Sequence, residues 1–313
     1  TRSLPQLVSY VDKMETNNKS YLVHEFLHDA WRPIWFDQIL KDLEPAKLKF
    51  VSTAVLGDLY LSAVLPKEYK ELLGEYADPT LYEVTLDVIL NRMFRKDIFM
   101  KSTNELWPSE QNEILLNTQY IWNEHRDDGK FVFELDAGSI EGKAEVYEPL
   151  RKKLRQSPST LRELVDSGKL NGQTFNQTLQ AVNFLVHSGK ANIYRPLLDR
   201  TLALGLNKVI IDLAAKGAPY NFLIATNIGA IITIRDTEVI MLDSLIKNDG
   251  KINKKSLANE LEVSLRKFSR VFLKDQRKLE TEEEIKSHIQ DLVEEFAAET
   301  ILNMQSLGVV ELK

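Results

Sequence analysis

Apolar residues recur at helical spacing along most of the chain, with a few short continuous or alternating apolar stretches between them. Residues 3–15 predict an amphipathic helix, and Asn17, Asn18, Lys19 and Ser20 predict a turn after it. Beyond Pro33, the positions of Ile34, Phe36, Ile39, Leu40 and Leu43 fit one face of a helix, and 48–55 (LKFVSTAV) reads as a strand. Pro66 opens a helix with Tyr69, Leu72 and Leu73 on one face and Gly74 inside it. Pro79 opens another, in which Leu81, Val84, Leu86, Val88, Ile89, Met93 and Phe94 are apolar nearly all round, the pattern of a deeply buried helix. After a charged break at 124–130 (EHRDDGK), 131–136 (FVFELD) and 144–147 (AEVY) predict a β-pair across Gly138 and Gly142.

A compact helical module is expected next. Ser157 with Pro158 has the form of an N-cap followed by proline at the first helical position. Leu161, Leu164 and Val165 follow, with Gly168 ending that helix. Thr174 and Gln177 form a capping box, Phe175, Leu179, Val182, Leu185 and Val186 line one face, and Gly189 stands just past the end. A strand at 191–194 completes the order helix, turn, longer helix, strand, which fits a winged helix and equally an ordinary helical subdomain. Thr281 with Glu284 makes another capping box, ahead of an apolar stripe (Ile285, Ile289, Leu292, Val293, Phe296, Ile301, Leu302) on a helix ending at Gly308. The expected fold class is α+β, predominantly helical: a small α/β domain over 1–147 with an N-terminal helix, then a helical, winged-helix-like domain over 148–313.

Composition narrows the function. The 313 residues carry a net charge of -6, which argues against a nucleic-acid partner, since such binders need a basic face to release phosphate counterions. With no cysteine, disulfides, thiol nucleophiles and zinc–thiolate sites are excluded. No apolar run is long enough to span a membrane, no signal peptide is apparent, and a cytoplasmic location is expected. There is no nucleophile elbow, phosphate loop or calcium loop.

His24-Glu25-Phe26-Leu27-His28 reads literally as H-E-x-x-H, the zinc-peptidase motif in which two imidazoles one helical turn apart hold the metal and the glutamate polarises its water. Three features oppose that reading. Few residues precede His24 to build a substrate-holding subdomain. The other histidines, His125, His187 and His288, are remote as third ligands. Trp31-Arg32-Pro33 also leaves the helix little room beyond His28.

The longer context supplies another origin. His24-Glu25-Phe26-Leu27, a short polar turn ending in Trp31-Arg32, Pro33-Ile34-Trp35-Phe36 and then Leu48-Lys49-Phe50 resemble the first signature of the methyltransferase regulatory domain of bacterial S-adenosylmethionine-dependent methyltransferases. Residues 83–99 are similar to its second signature, with Leu86-Asp87 leading to Asn91-Arg92-Met93-Phe94-Arg95 and a strand. The resemblance covers roughly residues 20 to 103, and two separated motifs agree in order. It implies that the H-E-x-x-H spacing is coincidental. The motif residues themselves suggest chemistry: Arg92 and Arg95 are spaced to share a helix flank, with Phe94 in the core, and Arg92 or Arg95 is expected to pair with Glu25, Asp37 or Asp97. That pairing reads either as a buried structural ion pair or as a ligand site. The structural or binding candidates are therefore His24, Glu25, Trp31, Arg32, Asp37, Asn91, Arg92, Arg95 and Asp97.

Full-length members of the family begin with a Rossmann-like domain whose glycine loop admits the cofactor. Here no two of the 13 glycines are separated by a single residue. The resemblance thus implies a non-catalytic regulatory or substrate-binding segment without a cofactor of its own, S-adenosylmethionine being held by a catalytic domain in the same or another chain and a protein being the leading acceptor. The chain starts at Thr1 rather than Met. It is expected to be either the C-terminal part of a larger methyltransferase or a stand-alone relative. The competing readings are a free-standing winged-helix protein that binds protein or DNA, and the zinc peptidase.

Overall fold

A computed structural model describes residues 14, 19–27, 29, 32–101, 106–123, 129–169, 172–268, 272–274 and 277–312. Its contacts divide into two units, Thr1–Ala54 with Pro66–Thr103, and Val55–Leu65 with Asn104–Lys313.

In the first unit, α1 (Lys19–Phe26), α2 (Phe36–Leu43) and a short 3-10 turn precede strand β1 (Lys49–Thr53); α3 (Lys67–Gly74), α4 (Pro79–Leu90) and β2 (Asp97–Met100) follow. α4 begins where the Asp78 carboxylate accepts from the Thr80 N–H at 2.8 Å, with Pro79 at the first helical position, where its missing N–H costs nothing. It ends where Asn91 turns left-handed (φ 48°) and its N–H closes back on the Asp87 and Val88 carbonyls. β1 and β2 pair antiparallel, Lys49 opposite Met100 and Thr53 opposite Asp97, with a bulge between Phe50 and Ser52. Phe36 is buried against Phe50 edge to face, ring centroids 5.0 Å apart. Three expectations fail here. Lys19 and Ser20 open α1 instead of lying in a turn. α4 is not deeply buried: only its Leu86 and Asp87 are, while Leu81 and Val88 are exposed. α2 and α3 cover one side of it, which leaves the opposite apolar side in water. Phe94, expected in the core, lies beyond the helix end and is 69% exposed.

The second unit includes a 3-10 segment (Leu56–Ala63), α5 (Pro108–Asn117), β3 (Gln119–Trp122), β4 (Val132–Leu135), β5 (Gly138–Glu141), α6 (Ala144–Gln156), β6 (Ser159–Thr160), α7 (Leu161–Lys169), α8 (Phe175–His187) and β7 (Ala191–Ile193). After these come α9 (Thr201–Ala215), β8 (Phe222–Ala225), β9 (Ala230–Thr233), α10 (Asp236–Lys247), α11 (Lys254–Lys267), β10 (Leu273–Lys274), β11 (Arg277–Lys278), α12 (Glu282–Glu295), a π-helical turn (Phe296–Thr300) and α13 (Ile301–Ser306). The sheets are small and antiparallel: β6-β3-β7, and the ribbons β4-β5, β8-β9 and β10-β11. The fold is α+β and mostly helical, as the sequence pattern indicates. The capping boxes at Thr174/Gln177 and Thr281/Glu284 form, β7 forms, and Gly189 takes the left-handed conformation (φ 75°) that ends α8.

Other local expectations are corrected. β4 pairs with Gly138–Glu141 across the two-residue turn at Asp136 and Ala137, and 144–147 is the first turn of α6 instead of a strand. Ser157 and Pro158 do not start a helix. Ser159 and Thr160 first pair with β3, and α7 is capped by Thr160 and Glu163: the Thr160 hydroxyl accepts from the Glu163 N–H, and the Glu163 carboxylate accepts from the Thr160 N–H at 2.8 Å. The strand beside β7 is β3, from upstream, and the next hairpin, β8-β9, comes only after α9. The boundary expected at 147/148 crosses one core, in which Trp122, Phe131 and Phe133 lie among Leu154, Leu161 and Leu185. The C-terminal stripe also changes register. The π-turn inserts a residue, so Phe296, Ile301 and Met304 point inward and Leu302 outward.

The cap of α12 makes a testable contribution. Arg277 donates to Glu284 at 2.6 Å, and the Thr281 and Glu280 N–H groups also donate to it; together they hold its carboxyl at about 2, from an ordinary 4.5. A carboxyl depressed in the folded state contributes stability above its unfolded pKa, and that contribution is lost as pH falls through the folded value. Glu284→Gln is therefore expected to flatten the fall in thermal midpoint below about pH 4.5. A fall as steep as in the wild type would refute the assignment.

Candidate functional site

The second sequence signature converges on one buried cluster. Asp87 sits in the last turn of α4, Arg92 and Arg95 follow its left-handed cap, and Asp97 opens β2. Arg95 Nε donates to Asp97 Oδ2 at 2.7 Å, and Nη1 donates to Asp87 Oδ1 at 2.7 Å. Nη2 donates to Glu83 Oε2 at 2.8 Å and to Asp97 Oδ1 at 3.1 Å. Arg92 Nη1 reaches the same Asp87 oxygen at 3.2 Å. The Arg95 guanidinium carbon lies 4.1 Å from the Phe36 ring centroid, so one face of the fork is stacked as well. Arg92 is 5% exposed and Asp87 9%.

Burial opposes the charge on Arg95, but its hydrogen bonds to Asp97 and Glu83 and the charge of Asp87 outweigh it and raise its pKa further. The four bonds occupy most of the five guanidinium donors, and Phe36 takes a face. So engaged, the cluster is a clamp that ties α4 to β2, and of the two sequence readings it fits the structural ion pair.

The remaining candidates disperse. Asp97 is the expected partner of Arg95; Asp37 instead pairs with Lys41 one turn along α2 at 3.0 Å, at the surface. Glu25 is exposed on α1, as are His24 and, in the following loop, Arg32. Trp31 and His28 lie outside the described residues. Among the described residues no group of three or more His, Asp or Glu side chains is placed to hold a metal ion. Spacing alone missed Glu83 and Asp87 as partners of Arg95, although both stand inside the quoted signature. The signal was present: Glu83 and Asp87 are four apart on one helix flank, facing a cation that returns after the cap.

The second unit carries a hollow of about 420 Å³, lined among others by Trp122, Arg155, Tyr194, Glu299 and Asn303 beside the π-turn. Arg155 and Glu299 bridge its rim at 2.6 Å, and Asn303 Nδ2 donates to the Trp122 carbonyl. Trp122 Nε1 and Asn303 Oδ1 are buried without partners among the described residues. No nucleophile–base pair accompanies them there, so the hollow offers shape rather than chemistry.

Residues 18–101 match the family described as a predicted methyltransferase regulatory domain. A curated relative, the uncharacterized protein sll1526 of Synechocystis sp., is 28% identical over 97% of this chain, which spans 60% of that protein. PKMT2 from Rickettsia typhi shares the fold: its complex with AdoHcy superposes with a TM-score of 0.58 at 15% identity over 99% of this chain. A second PKMT2 structure gives a TM-score of 0.54 at 14% identity over 97%. This chain spans 64% of PKMT2 in both. No helix among the described residues is long and apolar enough to cross a membrane. The region built around the Arg95 clamp, residues 18–101, thus matches the predicted methyltransferase regulatory domain family.

Proposed function

We propose that this chain is the non-catalytic regulatory and substrate-orienting part of an S-adenosylmethionine-dependent methyltransferase acting in the cytoplasm, with a protein as methyl acceptor. The observation that carries the reading is the family match over 18–101, which takes in most of the first compact unit together with Val55–Leu65 of the second. The exposed apolar side of α4, with Leu81 and Val88, supports it by offering a face for a catalytic domain in the same or another chain. The cofactor belongs to that domain, and His24, Glu25, Trp31 and Arg32 are candidates for contact with it or with the acceptor. This chain supplies orientation and access, and the methyl group passes directly from sulfonium to acceptor in the partner domain.

Titrating S-adenosylmethionine into the purified chain is expected to give no binding heat and no rise in thermal midpoint. Adding the chain to a separately purified catalytic domain is expected to change the rate of methyl transfer to a peptide acceptor. Cofactor binding by this chain alone, or transfer indifferent to its presence, would reject the reading.

A further inference from the structure

Single π-turns inside helices are rare and occur frequently at functional sites. The one at Phe296–Thr300 puts Ala298 and Glu299 on the wall of the hollow of about 420 Å³ in the second unit. It also turns Leu302 outward, so that this side chain forms part of the wall while 61% exposed. The volume lies within the range of ligand clefts.

Two polar atoms there lack partners among the described residues. Trp122 is 1% exposed and its Nε1–H meets no acceptor; Asn303 Oδ1 is buried and receives no donor. Buried polar groups are ordinarily bonded, and leaving one open is costly. Together the two call for one acceptor and one donor, which a single amide group offers.

The backbone beside them selects the source of that amide. Odd-numbered residues of β3 bond to the β7 side: the Gln119 carbonyl accepts from the Tyr194 N–H, and the Asn123 N–H donates to the Lys190 carbonyl. Trp122 therefore turns its own N–H and carbonyl the other way, toward the side of β6. β6 pairs only with Gln119 and Tyr120, so it has ended before Trp122 is reached. The Trp122 carbonyl takes the Asn303 side-chain amide where a strand would otherwise donate. A strand edge left open beside a hollow is the setting in which an extended peptide docks, its main chain on the edge and a side chain in the pocket. Ile121, Leu154, Pro158 and Leu302 give that side chain apolar walls, which a sugar or other polyol would not match. Arg155 and Glu299 neutralise each other across the rim, so no net charge there selects an ion.

We propose that this hollow binds a short, uncharged stretch of extended peptide. One amide group of the peptide meets Trp122 Nε1 and Asn303 Oδ1, and an apolar side chain lies against Leu302. Both polar atoms are closed to solvent in the free chain, so binding includes an outward swing of the exposed Leu302. The site lies wholly in the second unit and is independent of the methyltransferase reading.

The test is a titration of the ¹⁵N-labelled chain followed at its indole N–H signals, Trp122 being assigned by elimination through Trp31→Phe, Trp35→Phe and Trp107→Phe. N-acetyl-leucine N-methylamide is the first probe, with two amides and one apolar side chain. It is expected to move the Trp122 signal downfield and saturably, with a dissociation constant of about 1 mM for a ligand so small, and to leave the Trp35 and Trp107 signals in place. The acetylated and amidated pentapeptide Ala-Ala-Leu-Ala-Ala should bind at least threefold tighter, because it adds main chain along the edge. Leu302→Glu, a change at a solvent-facing position, should weaken both at least tenfold with an unchanged thermal midpoint. A Trp122 signal that stays still overturns the proposal. So does a pentapeptide that binds no tighter than the small amide, or a response that Leu302→Glu leaves intact.

Discussion

Replacing Arg95 by alanine is expected to unfold the first unit while the second stays folded. Glu83, Asp87 and Asp97 converge on one guanidinium, and Arg92 reaches Asp87 at a longer 3.2 Å. Without Arg95, two or three carboxylates remain in a site where Asp87 is 9% and Asp97 10% exposed. Breaking a buried pair from one side costs about 3–5 kcal/mol, because the remaining charge is desolvated and unpaired. That is a large fraction of the 5–15 kcal/mol a domain ordinarily has. Arg95→Lys should fail nearly as badly. A point ammonium cannot reach three carboxylates in different directions and stack on Phe36 as well. Trp122 is buried in the second unit at 1% exposure, so its blue-shifted emission should persist in Arg95→Ala while proteolysis within 66–103 becomes rapid. An unaltered cleavage pattern would show that the cluster contributes little to stability.

The parts of this fold legible in sequence are those decided by neighbours a few residues apart. The Thr174 and Thr281 capping boxes and the left-handed Gly189 each depend on a side chain and a backbone group within one turn, and each forms as read. Expectations fail where a distant partner competes. Ser157-Pro158 looks like a helix start, but β3 captures Ser159 and Thr160 first and moves the cap to Thr160. The apolar girth of α4 reads as deep burial, yet periodicity reports what a helix can bury, not what arrives to cover it. Part of the site was legible for the same reason: Arg95 and Asp97 are two residues apart, while its bonds to Glu83 and Asp87 require α4 to end at Asn91 so that the chain folds back. No spacing rule reveals a π-turn, so spacing alone puts Leu302 on the wrong side.

Phe133→Ala is expected to produce the mirror effect, loosening the second unit and sparing the first. The side chain is fully buried on β4, stacked on Phe184 with centroids 5.2 Å apart and tilted against Tyr147 at 5.0 Å. Space around it is tight: a Cβ on Gly142 would lie 2.4 Å from the Tyr147 ring and 2.9 Å from Phe133. The three aromatic rings come from a strand and two helices, α6 and α8, so none can move to fill a void without dragging its element along. Truncations of this kind cost about 3–5 kcal/mol, part lost transfer energy and part cavity, and a rigid site falls toward the upper end. Phe133→Leu keeps most of the volume and should cost less than half as much. Because Trp122 lies in the same core, its emission should shift red at a lower denaturant concentration in Phe133→Ala, while cleavage within 66–103 stays slow. Opposite responses of the two probes to Arg95→Ala and Phe133→Ala would identify two separately folding units. If both variants instead moved one common transition by the same amount, the division at Thr103 would describe contacts but not cooperativity.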